Sequence, residues 1–317
     1  MIDPVIFSFT IGSVEFALRW YGVLVMTGAL VGALYAAREL KRHGEDEEHL
    51  WDAIVILLPV GILGARLWYV ANATLGGNSY YMDNPGQILN IPQGGLHFYG
   101  GLLFGLLALI WYARKHQLDM WLLLDALAPA TLLGQAIARP ANFINQELYG
   151  QPTTLPWGIS IDASHRIKQY SDMTLFPDTT RFHPAFAYEM VWNFLAVGLI
   201  AWFVRRYPEK SKPGTALAAW LILAGIGRFI IEAFRPDQPR IPGTDVSFTR
   251  VVAAIMALIG IVMLLIRNKV IKIPFSEKWE TEYKLAPPRA EKAEEREARK
   301  RAERRKQRRK TKKEKPE

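Results

Sequence analysis

Apolar residues in this chain come in blocks of about 17 to 22 residues with few charges, the length a helix needs to cross the hydrocarbon of a bilayer. The blocks fall at about 18–37, 52–71, 98–113, 121–138, 184–204, 214–234 and 248–267. Hydrocarbon offers no partner to backbone N–H and C=O groups, so each block must satisfy its own as a helix. The pattern predicts an all-α polytopic membrane protein with seven transmembrane helices.

Charge separates this body from its tail. Of 39 Lys and Arg and 30 Asp and Glu, 19 and 10 lie from Asn268 onward, so the tail carries the whole formal charge of +9. We therefore read a membrane domain over 1–271 and a basic tail over 272–317. The tail has almost no large apolar residue beyond Leu285 and cannot build a core. It is expected as a disordered or helical arm resting on anionic membrane lipids, with no nucleic-acid partner. The chain contains no cysteine. That excludes disulfides, thiolate metal sites and a cysteine nucleophile, so any thiol in the chemistry belongs to a substrate. Nothing in the pattern calls for a metal or a cofactor, and Met1 to Phe16 lacks the features of a cleavable signal.

Loop charges orient the helices. Arg38, Lys41 and Arg42 follow the first block, Arg114 and Lys115 the third, and Arg205, Arg206, Lys210 and Lys212 the fifth, whereas 72–97 holds neither Lys nor Arg. The positive-inside rule then predicts an N-terminus outside and a cytoplasmic tail. The long loop at about 140–183 falls outside, and its Pro156, Trp157, Gly158 and Pro177 suggest an ordered cap.

With that orientation the polar residues of the spans gather near the outer leaflet: Tyr21, Arg66, Tyr99, Arg139, His183, Tyr188, Glu189, Arg228, Glu232 and Arg235. Arginine is least expected on this side, and in hydrocarbon it costs several kcal/mol. Arg66, Arg139, Arg228 and Arg235 together call for something anionic, and the planar guanidinium fork suits phosphate oxygens. Arg228 and Glu232 share a helix face at i and i+4, which fits a structural ion pair equally well. Plainer readings serve other residues: His97 opens a helix, Asp125 caps or pairs near the cytoplasmic end of its span, and "YGGLLFG" lets helices approach closely.

"RPANFINQELYGQP" at 139–152 resembles the signature of the prolipoprotein diacylglyceryl transferases through Arg139, Asn142, Phe143, Asn145, Glu147 and Gly150. The resemblance runs from "DPVIFSF" and "RWYG" through "GARLWYV" and "FYGGL" to "HPAFAYE" and "RFIIEAFR", about residues 3 to 267. It implies transfer of the diacylglyceryl group of phosphatidylglycerol to the lipobox cysteine of a prolipoprotein, at the plasma (inner) membrane of a bacterium. A thioether forms and glycerol phosphate leaves. The family's functional positions carry over to Tyr21, Arg139, Asn142, Glu147, Gly150, Arg228 and Glu232. On that footing Arg139 and Arg228 hold the phosphate, Glu232 orients Arg228, and Asn142 and Asn145 position the headgroup. Arg66 joins the lipid site and Tyr99 the reaction centre.

Three departures stand out. Phe98-Tyr99-Gly100-Gly101 replaces a frequent F-H-G-G, Ala224 replaces a tyrosine, and Pro140-Ala141 and Ala185-Phe186 differ from the usual residues. No histidine base carries over from the first of these motifs. A transporter or channel with an anion site is the alternative from another class, and it requires polar residues through the inner halves of the spans, which are apolar. A non-catalytic lipid-binding relative is the other, and the retained arginines and carboxylates weigh against it.

Overall fold

The computed structural model describes residues 2–12, 14–91, 94–272, 274 and 282–287. Helices stand at all seven expected blocks: α1 Trp20–Arg42, α2 Glu48–Leu75, α4 Phe98–His116, α5 Met120–Ala138, α7 Ala185–Arg206, α8 Thr215–Ile231 and α9 Phe248–Arg267. Short helices α3 Tyr80–Asp83 and α6 Pro140–Ile144 lie between them. Among the described residues six stretches are long and apolar enough to cross a membrane, the third of them running through α5 and α6 from Met120 to Ile144. The chain is a multi-pass membrane protein. Helix α4 falls outside that set, because glycines and tyrosines dilute it and Arg114, Lys115 and His116 occupy its last turn.

The apolar blocks predict helices alone, and the structure adds two short antiparallel strand pairs. β1 Val5–Ile11 and β2 Val14–Arg19 form an antiparallel hairpin before α1, and β3 Ile159–Ser160 pairs with β4 Arg181–Phe182. In the hairpin Phe9 stacks on Phe16 with ring centres 5.4 Å apart. The two-residue pair is too short to leave a periodic trace in the sequence.

The chain divides into two compact units. One comprises the residues up to Leu40 with Trp121–Tyr283, and holds the hairpin, α1 and α5 to α9. Its helices meet through small residues. A Cβ on Gly28 would lie 2.4 Å from the Gly134 carbonyl oxygen, and one on Gly32 would lie 2.8 Å from that of Ala130. Between α8 and α9 the same holds for Gly225 against Ala253 and Gly260 against Ala218, both at 2.6 Å. Without a hydrophobic force between helices in lipid, such close backbone approach supplies the dispersion contact that holds them. Asp125 of α5 accepts hydrogen bonds from the N–H groups of Gly214 at 2.5 Å and Leu217 at 2.7 Å. It thereby caps the start of α8 from a neighbouring helix and sets a carboxylate at the positive end of that helix dipole.

The stretch between α6 and α7 carries packing of its own. Tyr149, Ile161, Tyr170 and Phe182 form a small buried core, joined by Ile159, Ile167 and Phe176. Arg166 is buried beside it, donating to the carbonyls of Ile161 at 2.9 Å and Phe176 at 2.5 Å, with its guanidinium 5.4 Å from the Phe182 ring centre.

The second unit comprises Lys41–Met120 with the described residues from Lys284. Helices α2 and α4 pack where Gly64 faces Phe104 and Gly100 faces Trp68, each leaving 2.3 Å for an added Cβ. The close approach read from "YGGLLFG" is met at Gly100, whereas Gly105 faces open space.

The tail departs from its expected form where it is described. Over 282–287 it is neither helical nor detached. Tyr283 donates its hydroxyl to Asp125 at 2.8 Å, Lys284 N–H donates to Asp119 at 2.8 Å, and Ala286 N–H to Glu45 at 2.9 Å. Carboxylates at helix ends and loops fix the strand of backbone that composition alone left free. Apart from Lys272 and Pro274, the remainder of the expected arm lies outside the described residues.

Substituting Gly134 by leucine forces α1 and α5 apart and should destabilise the detergent-solubilised protein by about 1–3 kcal/mol or more, as overpacking does. Gly105→Leu should be tolerated, since nothing stands within 4 Å of its Cβ position. Thermal unfolding of the two variants beside wild type checks the contrast.

Candidate functional site

The signature segment turns sharply after α5. Pro140 opens α6, where its missing N–H costs nothing, and the chain leaves that helix through Gln146 and Leu148, both left-handed at φ 53° and 56°. Non-glycine residues rarely adopt this conformation, and two so close mark a tightly specified turn. The turn brings Glu147 back onto α6. Its N–H donates to the Asn142 carbonyl at 2.9 Å, and its Oε1 accepts from Asn142 Nδ2 at 2.8 Å and, more distantly, from Asn145 Nδ2 at 3.5 Å. Gln146 faces the other way and exchanges two hydrogen bonds with Asp162, one from its amide and one from the Asp162 N–H.

Asn142 passes this order to Arg139, accepting from its Nη1 at 3.1 Å. Arg139 Nη2 pairs with Glu189 Oε1 of α7. The other oxygen of Glu189 lies 3.9 Å from Arg228 Nη1 of α8. Arg228 Nη2 in turn lies 3.1 Å from Glu232 Oε2, and Glu232 Oε1 accepts from Ser247 Oγ at 3.0 Å. Ser247 also caps α9, accepting from the Arg250 N–H at 3.2 Å. One chain of polar contacts therefore links α5, α6, α7, α8 and α9. Arg139, Arg228, Glu232, Asn142, Asn145 and Glu147, each singled out in the sequence, fall within it.

Glu189 is the residue whose part the sequence did not disclose. It sits inside "HPAFAYE", and an acidic group one turn into an apolar helix, at the depth of two arginines, was the available signal. Its carboxylate changes the electrostatic account. The arginines are not naked cations awaiting an anion: Glu189 and Glu232, with side chains only 12 % and 1 % exposed, already offset their charge.

Tyr21, Arg139, Asn142 and Glu147 line one cavity of about 280 Å³ with Val25, Gln135, Ala138 and Leu148. Sequence positions from α1, α5 and the signature turn thus meet around a single space. Gly150 stands apart from that cavity. Its N–H donates to the His183 carbonyl at 2.7 Å, and a Cβ there would lie 2.8 Å from both His183 Cβ and the Phe234 carbonyl oxygen. It is glycine because the segments at His183 and Phe234 both crowd it. His183 lies against Tyr188, 3.0 Å from its hydroxyl, and against the Phe234 ring, and burial lowers its pKa below the ordinary histidine value of 6.5.

The remaining expected residues are placed otherwise. Arg235 pairs with Asp237 through Nε at 3.2 Å and Nη2 at 2.8 Å. In the second unit Arg66 is buried and donates to the carbonyls of Gln87, Ile88, Gly94 and Gly95 at 2.7 to 3.2 Å, with the Tyr69 and Tyr81 rings beside it. Its fork is spent on backbone, so the place given it among lipid ligands gives way to that of a loop anchor. Carbonyl groups freed by the irregular loop before α4 need donors, and one guanidinium supplies several. Tyr99, also in this unit, is largely exposed in the first turn of α4, with its ring 5.5 Å from that of His97.

Apolar helices gathered around two arginines bridged by a carboxylate, with a polar cavity of about 280 Å³ beside one of them, define the class as a polytopic membrane protein with a polar, charged site. The chain belongs to the prolipoprotein diacylglyceryl transferase family, whose model matches residues 4–266. Three relatives carry the name phosphatidylglycerol–prolipoprotein diacylglyceryl transferase. The one from Chloroflexus aggregans is 40 % identical over 74 % of this chain and 78 % of its own. That from Leifsonia xyli is 35 % identical over 78 % and 73 %. That from Streptococcus uberis is 34 % identical over 88 % of this chain and its full length.

Because folded His183 holds a proton less readily than the unfolded chain, unfolding takes up protons on acidification. Stability contributed here is present above pH 6.5 and falls as pH drops through 6.5 toward the lower folded value. The thermal midpoint should therefore decline below about pH 6.5, and His183→Gln should flatten that decline relative to wild type.

Proposed function

We propose that this chain transfers the diacylglyceryl group of phosphatidylglycerol to the lipobox cysteine thiol of prolipoproteins. The observation that carries the proposal is that Arg139, which lines the cavity with Tyr21, Asn142 and Glu147, is joined through Glu189 to a second guanidinium, that of Arg228. The thiol sulfur attacks the glyceryl carbon that bears the phosphate, the carbon–oxygen bond breaks, and glycerol phosphate leaves with the bonding pair. The thiol proton balances the charge of the departing phosphate. Negative charge grows on that phosphate as the bond breaks, and fixed guanidiniums in a low-dielectric site stabilise it without reorganising. The absence of cysteine in the chain leaves the substrate's thiol without an internal rival.

In this reading Arg139 and Arg228 bind the phosphate, Glu232 holds Arg228 in place, and Asn142 and Asn145 address the glycerol headgroup. Tyr21 and Glu147 complete the cavity wall, and Gly150 fixes the approach of its neighbours. Arg66 serves by anchoring the loop before α4. Helix α4 completes a set of seven spans, with the N-terminus outside the plasma (inner) membrane and the tail in the cytoplasm. Loop charges support this orientation, and they put the 140–183 cap and the arginine pair at the outer leaflet, where a secreted substrate arrives. The membrane domain is 1–271, and the basic segment 272–317 is a cytoplasmic appendage.

An assay with phosphatidylglycerol and a lipobox peptide tests the reaction, and absence of thioether product from folded protein would overturn it. Arg228→Lys keeps the charge and loses the two-pronged geometry, so turnover should fall about 10²- to 10³-fold, as for removal of one preorganised donor. Glu232→Gln, which retains an acceptor for Arg228, should be milder than Glu232→Ala. For the topology, a reporter fused after Glu317 should be cytoplasmic and one inserted between Ser79 and Gln87 external. The reverse pattern would move the arginine pair to the wrong leaflet for this mechanism.

A further inference from the structure

Arg139 and Arg228 each have one fixed partner and one shared partner. Arg139 Nη1 is held by Asn142, itself held by Glu147, and Arg228 Nη2 lies against Glu232, whose other oxygen is bound by Ser247. Those partners would stay in place around a bound anion. The shared partner is Glu189: one carboxylate oxygen faces Arg139 and the other faces Arg228. Two oxygens on one centre, each turned to a different guanidinium, is also how a phosphate would sit between them.

We propose that Glu189 is an internal stand-in for phosphate, which holds the two arginines in register when the site is free and yields them when an anionic headgroup binds. The proposal rests on the assignment of Arg139 and Arg228 as phosphate ligands. Three further features favour exchange over a fixed ion pair. The Arg228 arm of the bridge is loose at 3.9 Å, and the Arg228 side chain is 29 % exposed and so open to an incoming ligand. Arg139 Nε, buried, has no hydrogen-bond partner among the described residues, which leaves a donor for an added oxygen. The immediate group also carries three carboxylates, Glu147, Glu189 and Glu232, against two guanidiniums, so an anion that enters does so against a like charge held beside it.

That competition matters most at the end of the reaction. The phosphodiester substrate carries one negative charge on its phosphate, and the glycerol phosphate product carries more once its proton is lost. Bare arginines would bind the product more tightly than the substrate. A tethered carboxylate acts at a high effective concentration and retakes the arginines as the product departs. Glu189 is thus a positioning residue that sets the balance between lipid capture and product release.

The test uses the full chain in detergent, with phosphatidylglycerol, a lipobox peptide, and glycerol phosphate as the probe for the vacated site. Glu189→Gln keeps the shape and removes the competing charge. It should lower KM for phosphatidylglycerol and lower both the inhibition constant and the calorimetric Kd of glycerol phosphate by about tenfold, a usual size for coupling between two ligands. Turnover should fall as release becomes slower. Glu189→Asp, with its charge drawn back by one methylene, should move each constant in the same direction by less, and it serves if the glutamine variant does not fold. A merely structural Glu189 gives the opposite sign, with KM and Kd raised by the substitution, and that result or unchanged constants would overturn the proposal. Wild-type protein that makes no thioether would instead overturn the transferase assignment, and the calorimetric comparison would still decide the role of Glu189.

Discussion

The carboxylate of Glu189 between Arg139 and Arg228 is the interaction on which the rest of the site depends. An isolated guanidinium within an apolar bundle is costly, and removing one partner of a buried pair typically costs about 3–5 kcal/mol because a charge is left behind. Here α7 supplies a charge that makes Arg139, just past α5, and Arg228 of α8 tolerable together. Everything farther along the polar chain, from Glu147 through Asn142 to Ser247, fixes the directions in which those guanidiniums point. A transferase that stabilises developing phosphate charge needs that direction more than it needs net positive charge.

Arginine plays two further parts in the same fold, and the difference lies in what surrounds it. Arg66 and Arg166 are both buried where irregular backbone leaves carbonyl groups without helix partners, and both spend their donors on those carbonyls. Neither faces an acidic side chain as closely as Arg139 does. The same planar fork therefore serves as a loop anchor in one setting and as a partner of the Glu189 carboxylate in another. Sequence depth cannot separate Arg66 from Arg139 and Arg228, since all three lie in or beside an apolar helix.

Small residues and buried carboxylates carry the packing. Gly28 against Gly134 and Gly225 against Ala253 bring helix backbones close enough for dispersion to substitute for the hydrophobic effect, which lipid does not supply between helices. Asp125 adds a polar tie by capping α8 and accepting the Tyr283 hydroxyl. These contacts set where α8 begins, and through the rigid helix they set where Arg228 and Glu232 lie.

The sequence by itself determined the helices, because bilayer thickness fixes the length of an apolar block and hydrocarbon forces its backbone into helical bonds. The i,i+4 spacing likewise committed Arg228 and Glu232 to one face before any packing was known. It also carried the family, since "RPANFINQELYGQP" is a local motif whose turn is built from its own residues. What needed the tertiary structure were the pairings between distant segments. Glu189 meets Arg139 across 50 positions, Arg66 finds carbonyls more than 20 residues away, and Lys284 and Ala286 settle on Asp119 and Glu45. Such contacts leave no periodic trace, because side-chain charge in a sequence shows that a partner is required without showing which of several equivalent groups the folded backbone brings within reach.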